Sequence, residues 1–312
     1  MGSSGLSISL VIPTLNAGRG FATLLHRLKG QGRAPLEILV VDSGSNDITR
    51  ETLLQFPEIR MIQVSDRPGP ASWNRGCEEA KGDVIVFLGQ HALPANGDWL
   101  SRLVAPFDDD SVAGVYGRQE ASATSSPIWN FRLAERFCQK AHSRRLRVGD
   151  TIRHKSLPFF LENAALRRSV WQGIHFNQHL PVGADRVWAR QAVLASYTIA
   201  YSPDALVIRE LQLGLRAAFE LAKLTGYADR QFGEAGGTLW PDSRRFARRA
   251  TWFLLSGFAW GALPYLALED AAHQYGYMLG QRMSRPIPAL EGLEKSTLWP
   301  DQPAAEDLKR AA

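Results

Sequence analysis

Over the first 120 residues, unbroken runs rich in Val, Ile and Leu recur at the length of a strand, and stretches with helical spacing separate them. The runs fall at 8–13, 36–41, 59–64, 83–88 and 113–118, and the helical patterns at 20–29, 49–55, 70–80 and 99–107. A strand that is apolar at nearly every position has no face to give to water, so it must be covered on both sides. Strands of this kind alternating with helices specify an α/β fold: a mostly parallel sheet with helices on both faces. In such a sheet, ligands bind beyond the carboxyl ends of the strands. The residues that follow each run therefore carry the functional information.

Those residues are Pro13-Thr14-Leu15-Asn16, Asp42-Ser43-Gly44-Ser45-Asn46-Asp47, Asp66-Arg67-Pro68-Gly69 and Gly89-Gln90-His91. All are small or able to hydrogen-bond, and the helix N-termini behind them bring free N–H groups suited to phosphates. The pattern predicts a nucleotide site. The usual dinucleotide fingerprint is absent, because Asn16-Ala17-Gly18-Arg19-Gly20 has the wrong spacing for GxGxxG, and no GxxxxGK[ST] occurs.

Beyond residue 120 the alternation stops. Residues 127–148 read as a basic amphipathic helix with Ile128, Phe131, Ala134, Cys138 and Ala141 along one face. A strand is expected at 159–166, a helix at 185–195, strand segments at 198–201 and 205–208, and helices from 213 to about 282. This divides the chain into 1–210, with a nucleotide half to about 120 and a second half from 121, then a helical extension at 211–285 and a loose tail at 286–312.

The net charge is +5, yet residues 132–155 alone carry +6. A patch so local suggests a local anionic partner, or a solvated helix face, and speaks against a nucleic-acid-binding protein. Residues 250–268 hold no charge, follow Arg244, Arg245, Arg248 and Arg249, and are interrupted by Gly257, Gly261 and Pro264. Three readings stand for them: a helix resting on a membrane, a buried helix, or a span. A chain that is 45% hydrophobic and 21% charged is not globally disordered. Two cysteines without a CxxC make a cysteine zinc site or a disulfide scaffold unexpected and suggest a reducing compartment. The opening residues lack the pattern of a secretory leader.

Four segments together resemble the successive motifs of family 2 glycosyltransferases. They are Ile12-Pro13-Thr14-Leu15-Asn16, Val41-Asp42-Ser43-Gly44-Ser45-Asn46-Asp47, Gly69-Pro70-Ala71-Ser72-Trp73-Asn74-Arg75-Gly76 and Gly82-Asp83-Val84-Ile85-Val86-Phe87-Leu88. Each is loose alone, but four in order at matching spacing are specific. The run Phe87-Leu88-Gly89-Gln90-His91-Ala92-Leu93-Pro94 is most similar to the rhamnosyltransferase-like branch. The resemblance covers about residues 7–210. It implies a GT-A fold, a nucleotide-diphosphate sugar donor (dTDP-rhamnose or a UDP-sugar), a glycan or lipid-linked acceptor, and inverting transfer. Combined with the basic patch and the apolar C-terminal helices, it implies cytoplasmic work in surface-polysaccharide assembly, peripheral on the inner face of a membrane.

The resemblance also assigns roles. Pro13, Thr14 and Asn16 would line the nucleotide pocket, and Asp42 would contact base or ribose with Ser43 beside it. Arg67, Asn74 and Gln90 would lie near the base and sugar. Gly183-Ala184-Asp185-Arg186-Val187-Trp188-Ala189 looks like the segment that carries the catalytic base, here Asp185. Inverting transfer needs one carboxylate to take the acceptor's proton; the competing reading of Asp185 is a helix cap.

Two positions depart from the family pattern. Position 91 would hold the metal-binding aspartate of the DxD motif but is His91, which either ligates a divalent ion (Mn²⁺ before Mg²⁺) or makes an ordinary polar contact. Where members often carry histidine after the last strand, this chain has Arg209, able to hold a diphosphate directly or to pair with a carboxylate. A non-catalytic nucleotide-sugar-binding protein with a degenerate DxD motif is the alternative. Trp171 and Trp188 are sugar platforms or core, with core favoured, and His175 and His179 read as structural.

Overall fold

The computed structural model describes residues 5–65, 68–137, 143–145, 158–180, 182–209, 214–231, 243–257 and 260–283. The N-terminal part alternates as the sequence pattern requires: β1 (Ile8–Thr14), α1 (Gly20–Lys29), β2 (Glu37–Asp42), α2 (Thr49–Leu53), β3 (Arg60–Gln63), α3 (Pro70–Glu79) and β4 (Val84–Leu88). β1 pairs in parallel with β2 and with β4, and β2 with β3. Period-two geometry sends Ile8, Leu10 and Ile12 into one core with Phe21, Leu24 and Leu28 of α1. Val11 goes into the opposite core with Leu39, Val41, Ile85 and Phe87. Both faces are covered, as the continuous apolar runs demand.

Past β4 the sheet becomes mixed. A short β5 (Ala92–Pro94), unexpected from the sequence, precedes α4 (Trp99–Val104) and β6 (Val112–Ala121). The latter is the fifth apolar run, but it does not pair with β4. β8 (Asn163–Arg167) lies between them, antiparallel to both. β9 (Thr198–Arg209) runs parallel to β6 and antiparallel to β5. The order is β3-β2-β1-β4-β8-β6-β9-β5, with β7 (Ser143–Arg145) paired to β9. The insertion of β8 is a long-range pairing with no local sequence signal, so a parallel neighbour was the natural expectation.

Three helices occupy the middle of the chain: α5 (Pro127–Arg136), α6 (Arg168–Gly173) and α7 (Ala184–Leu194). The long basic helix expected at 127–148 is cut short. α5 starts on Ser126, whose hydroxyl accepts the Trp129 N–H, and ends at an extended Phe137. Residues 143–145 are strand. Of the face expected for that helix, Cys138 and Ala141 lie outside the described residues. Trp171 and Trp188 are core, buried with Phe159 and Phe176.

The C-terminal helices are α8 (Leu215–Gln231), α9 (Ser243–Ser256) and α10 (Leu263–Arg282). α8 and α10 touch at backbone distance: a Cβ on Gly280 would stand 1.9 Å from the Lys223 carbonyl oxygen, and one on Gly226 would stand 2.2 Å from that of Tyr277. Ile128 and Phe131 of α5 pack with Ala250, Leu254 and Leu266, and the buried Arg132–Glu269 ion pair (3.2 Å) adds a polar tie between α5 and α10. Arg132 is thus not part of a solvated basic face. The uncharged stretch 250–268 is divided between the end of α9, a 3-10 turn at Trp260–Ala262 and the start of α10. No described helix is long and apolar enough to cross a membrane. The tail at 286–312 lies outside the described residues.

Candidate functional site

The carboxyl ends of β1 and β2 are laced together by side chains. The N–H groups of Leu15, Asn16, Ala17 and Gly18 donate in turn to Gln90 Oε1 (2.8 Å), Ser45 Oγ, Thr49 Oγ1 and Asp47 Oδ2 (2.9 Å each). Asn16 adopts φ 49°, and its Oδ1 accepts the Asn46 N–H at 3.0 Å. These four N–H groups are therefore committed to the protein and are not open to a phosphate. Thr14 is buried and turns its hydroxyl back to the Ile12 carbonyl (3.0 Å), and Pro13 is half-buried beside it. Asp42 is fully buried and accepts from the Ser45 N–H and hydroxyl and from Arg50 Nε and Nη2 (3.3 and 3.2 Å). Ser43 differs: its Oγ is buried and has no hydrogen-bond partner among the described residues. An unmatched buried hydroxyl costs about 1–3 kcal/mol, which a ligand can recover.

Asn74 of α3 is a clamp. Its Nδ2 donates to the Phe176 carbonyl (2.8 Å), and its Oδ1 accepts from Phe176 N–H (3.1 Å) and Trp171 Nε1 (3.2 Å). Its side chain fixes α6 and the segment after it to α3. Arg67 lies outside the described residues.

A second group gathers where β4, β5, β6, β8 and β9 meet. The β5–β9 register sets Ala92 opposite Arg209 and so brings His91 next to the Arg209 guanidinium. The Gly89 N–H donates to the Glu162 carbonyl (3.0 Å), which lays the 89–91 turn across residue 162. Glu162 Oε2 stands 3.3 Å from Arg209 Nη1, and the same nitrogen donates to Gln119 Oε1 at 3.1 Å.

Asp185 enters this group from α7. Gly183, at φ 78°, is the N-cap and offers no side chain, so Asp185 sits inside the first turn and is not the cap. Its Oδ1 accepts the Arg186 N–H (2.8 Å), and the Leu161 N–H also reaches its carboxylate. Burial raises its pKa above the ordinary aspartate value, Glu162 adds to the rise, and Arg186 opposes it. Arg136, at the end of α5, lies over the Phe160 ring at 5.1 Å. Desolvation, then Arg186, Arg132 and Arg209, lower its pKa to about 10 against Glu162. Its side chain nevertheless keeps solvent contact, so it is desolvated as in a cleft, not as in a core.

The donor set does not fit a divalent ion. Among the described residues, no group of three or more His, Cys, Asp or Glu side chains is disposed to hold a metal ion. Gln90 is oriented by Leu15, which gives its N–H to Oε1 and receives Nε2 (3.0 Å). The second Nε2 hydrogen then points at His91 Nε2, 2.9 Å away, which must accept it, so the His91 proton rests on Nδ1. Neither ring nitrogen offers a spare lone pair. Burial and the Arg209 charge lower the His91 pKa to about 4, which keeps the ring neutral.

Of the residues singled out from the sequence, His91, Arg209 and Asp185 each come within reach of Glu162. Thr14, Asn16, Asp42 and Ser43 form a separate group at the neighbouring strand ends, and Gln90 joins the two. Glu162, Arg136 and Arg186 were missed. The sequence pattern puts Glu162 in the middle of a strand, whereas it occupies the turn before β8, and it places Arg136 in a basic patch, anion-binding or solvated, without singling it out. Arg186, beside Asp185, was in view but was given no role.

A family model described as Glycosyl transferase family 2 matches residues 9–172. The O-antigen chain rhamnosyltransferase RfbN of Salmonella typhimurium is 30% identical over 291 residues, which is 88% of this chain and 90% of that protein. The O-antigen chain rhamnosyltransferase WbaN of Salmonella anatum is 29% identical over 290 residues, 88% of this chain and 89% of that one. Among solved structures, the mannosyltransferase PcManGT of Pyrobaculum calidifontis, in complex with GDP-Man and Mn²⁺, superposes with a TM-score of 0.55 at 18% identity. That match covers 95% of this chain and 88% of the mannosyltransferase.

Proposed function

Because the chain belongs to glycosyl transferase family 2, we propose that it moves a sugar, with inversion, from a nucleotide-diphosphate donor to a hydroxyl of a glycan or lipid-linked acceptor. The observation that carries this reading is that Asp185 and the Arg209–His91 pair both come up against Glu162 beyond the strand ends. In this reading Asp185 takes the proton of the attacking hydroxyl, and its raised pKa makes it a stronger base than an exposed aspartate. Ser43, Asp42, Thr14, Asn16 and Pro13 line the nucleoside end, where the unmatched Ser43 hydroxyl offers a donor and acceptor. Asn74 and Gln90 act by holding backbone. The names of the Salmonella relatives favour a rhamnosyl donor and a role in building an O-antigen-like polysaccharide. The test is turnover of dTDP-rhamnose against UDP- and GDP-sugars, with NMR of the product. One nucleotide class should turn over with the anomeric configuration inverted. Retention would sink the inverting mechanism, and no turnover of any donor would sink the reading.

We further propose that the protein works on an anionic membrane surface, on the cytoplasmic face. Trp252, Trp260 and Leu268 are 73%, 61% and 60% exposed on the C-terminal helices, and Arg248 and Arg249 flank a groove with Trp252 and Phe253. Exposed tryptophans beside arginines suit the boundary between headgroups and acyl chains. Each arginine near an anionic surface contributes on the order of 1 kcal/mol. Arg249 is paired with Glu135 at 2.6 Å, so replacing Arg248 by Gln should weaken binding to phosphatidylglycerol vesicles about fivefold. Wild-type protein left wholly in the supernatant after sedimentation with such vesicles would rule the proposal out.

A further inference from the structure

The second residue group carries more positive charge than its carboxylates balance. Arg186 and Arg209 each repel the Arg136 charge, which Glu162 attracts, and the half-buried Asp185 stands beside Glu162 and Arg186. Such mutual repulsion is costly unless an anion sits among the guanidinium groups. Arg209 is also posed for one. Glu162 and Gln119 both engage its Nη1, and its Nε and Nη2 meet no acceptor among the described residues. Those two donors keep the parallel geometry that matches two phosphate oxygens. The site stands beside His91, whose lone pair is committed to Gln90.

We propose that Arg209, with Arg136 and Arg186, binds the donor's diphosphate directly and neutralises it without a divalent cation. The inference rests on the glycosyltransferase reading above. As the acceptor oxygen forms its bond to the anomeric carbon, the bond from that carbon to the diphosphate oxygen breaks and its electron pair stays on the diphosphate. The acceptor's proton goes to Asp185, and the guanidinium groups stabilise the charge that grows on the leaving oxygen. Glu162 and Gln119 hold the Arg209 fork in place.

Isothermal titration of the full chain with dTDP, UDP and GDP, each in EDTA and in Mn²⁺, tests this. One nucleotide should bind with the same affinity in both conditions. Arg209→Ala should weaken that binding about ten- to a hundredfold, the loss of one or two charge-assisted hydrogen bonds. Arg209→Lys should recover only part, because it keeps the charge but not the fork. Should circular dichroism show Arg209→Ala unfolded, the solvent-contacting Arg136→Ala gives the same comparison. Binding that needs Mn²⁺, or that is unchanged in a folded arginine variant, overturns the inference and leaves the transferase reading intact. Failure of all three nucleotides to bind overturns the inference and the nucleotide-sugar reading together.

Discussion

Asp185→Asn should lower kcat by about 10²–10⁴ while donor binding and melting temperature stay near wild type. The amide keeps the Oδ1 that accepts the Arg186 N–H, so the first turn of α7 is undisturbed. What it loses is the ability to take a proton. Burial raises the Asp185 pKa, so the folded protein pays for the ionised form, and that cost grows as pH rises above the unfolded value. Removing the charge therefore does not destabilise the protein at neutral pH. The pH profile gives the sharper readout. A base works when ionised, so the wild-type rate should fall with acid as pH drops through a pKa above the ordinary aspartate value. In Asp185→Asn that limb should vanish from the residual rate. A variant retaining wild-type kcat, or keeping the same acid limb, would remove Asp185 from the chemistry.

Asn163→Ala should cost on the order of 4 kcal/mol, a large share of the ~5–15 kcal/mol that holds a typical protein folded. Asn163 is fully buried at the start of β8 and ties it to α4, β6 and β9. Its Oδ1 accepts from Trp99 Nε1 (2.9 Å), and its Nδ2 donates to the Arg118 and Ala205 carbonyls (2.9 and 2.8 Å). Truncation strands all three partners away from water, at about 1–3 kcal/mol each. Asn163→Asp should be no better, because a carboxylate would face two carbonyl oxygens where the amide donated. Thermal melting should show a fall of roughly 10 °C for the alanine variant. An unchanged melting temperature would mean that the three partners find water or one another. Because Glu162 is the adjacent residue, the same variant should loosen the Arg209 contact.

The N-terminal half was legible because its information is local. Continuous apolar runs such as Val84–Leu88 admit one environment, a strand covered on both faces, and that is where they lie. The strand-end motifs were legible for the same reason: Asp42 and Ser43 follow a strand at fixed spacing and must sit at its carboxyl end. Their partners were not. Nothing in the order of residues says that Gln90 will clamp Leu15 from 75 positions away, or that Asn74 will hold Phe176. The end of α5 was not legible, since the extended Phe137 that closes it is neither Gly nor Pro.

By itself the sequence determined the α/β class, the parallel core of the sheet, the family and the position of Asp185. Each depends on periodicity or on motifs a few residues long, where near neighbours settle the outcome. Only the tertiary structure decided the placement of β8 between β4 and β6, the commitment of the first loop's N–H groups, and the company of Arg136, Arg186, Arg209, Glu162 and His91. Those outcomes depend on pairing between distant segments. Their energies are comparable for several alternative partners until the whole core is packed, so no short stretch of sequence can state them in advance.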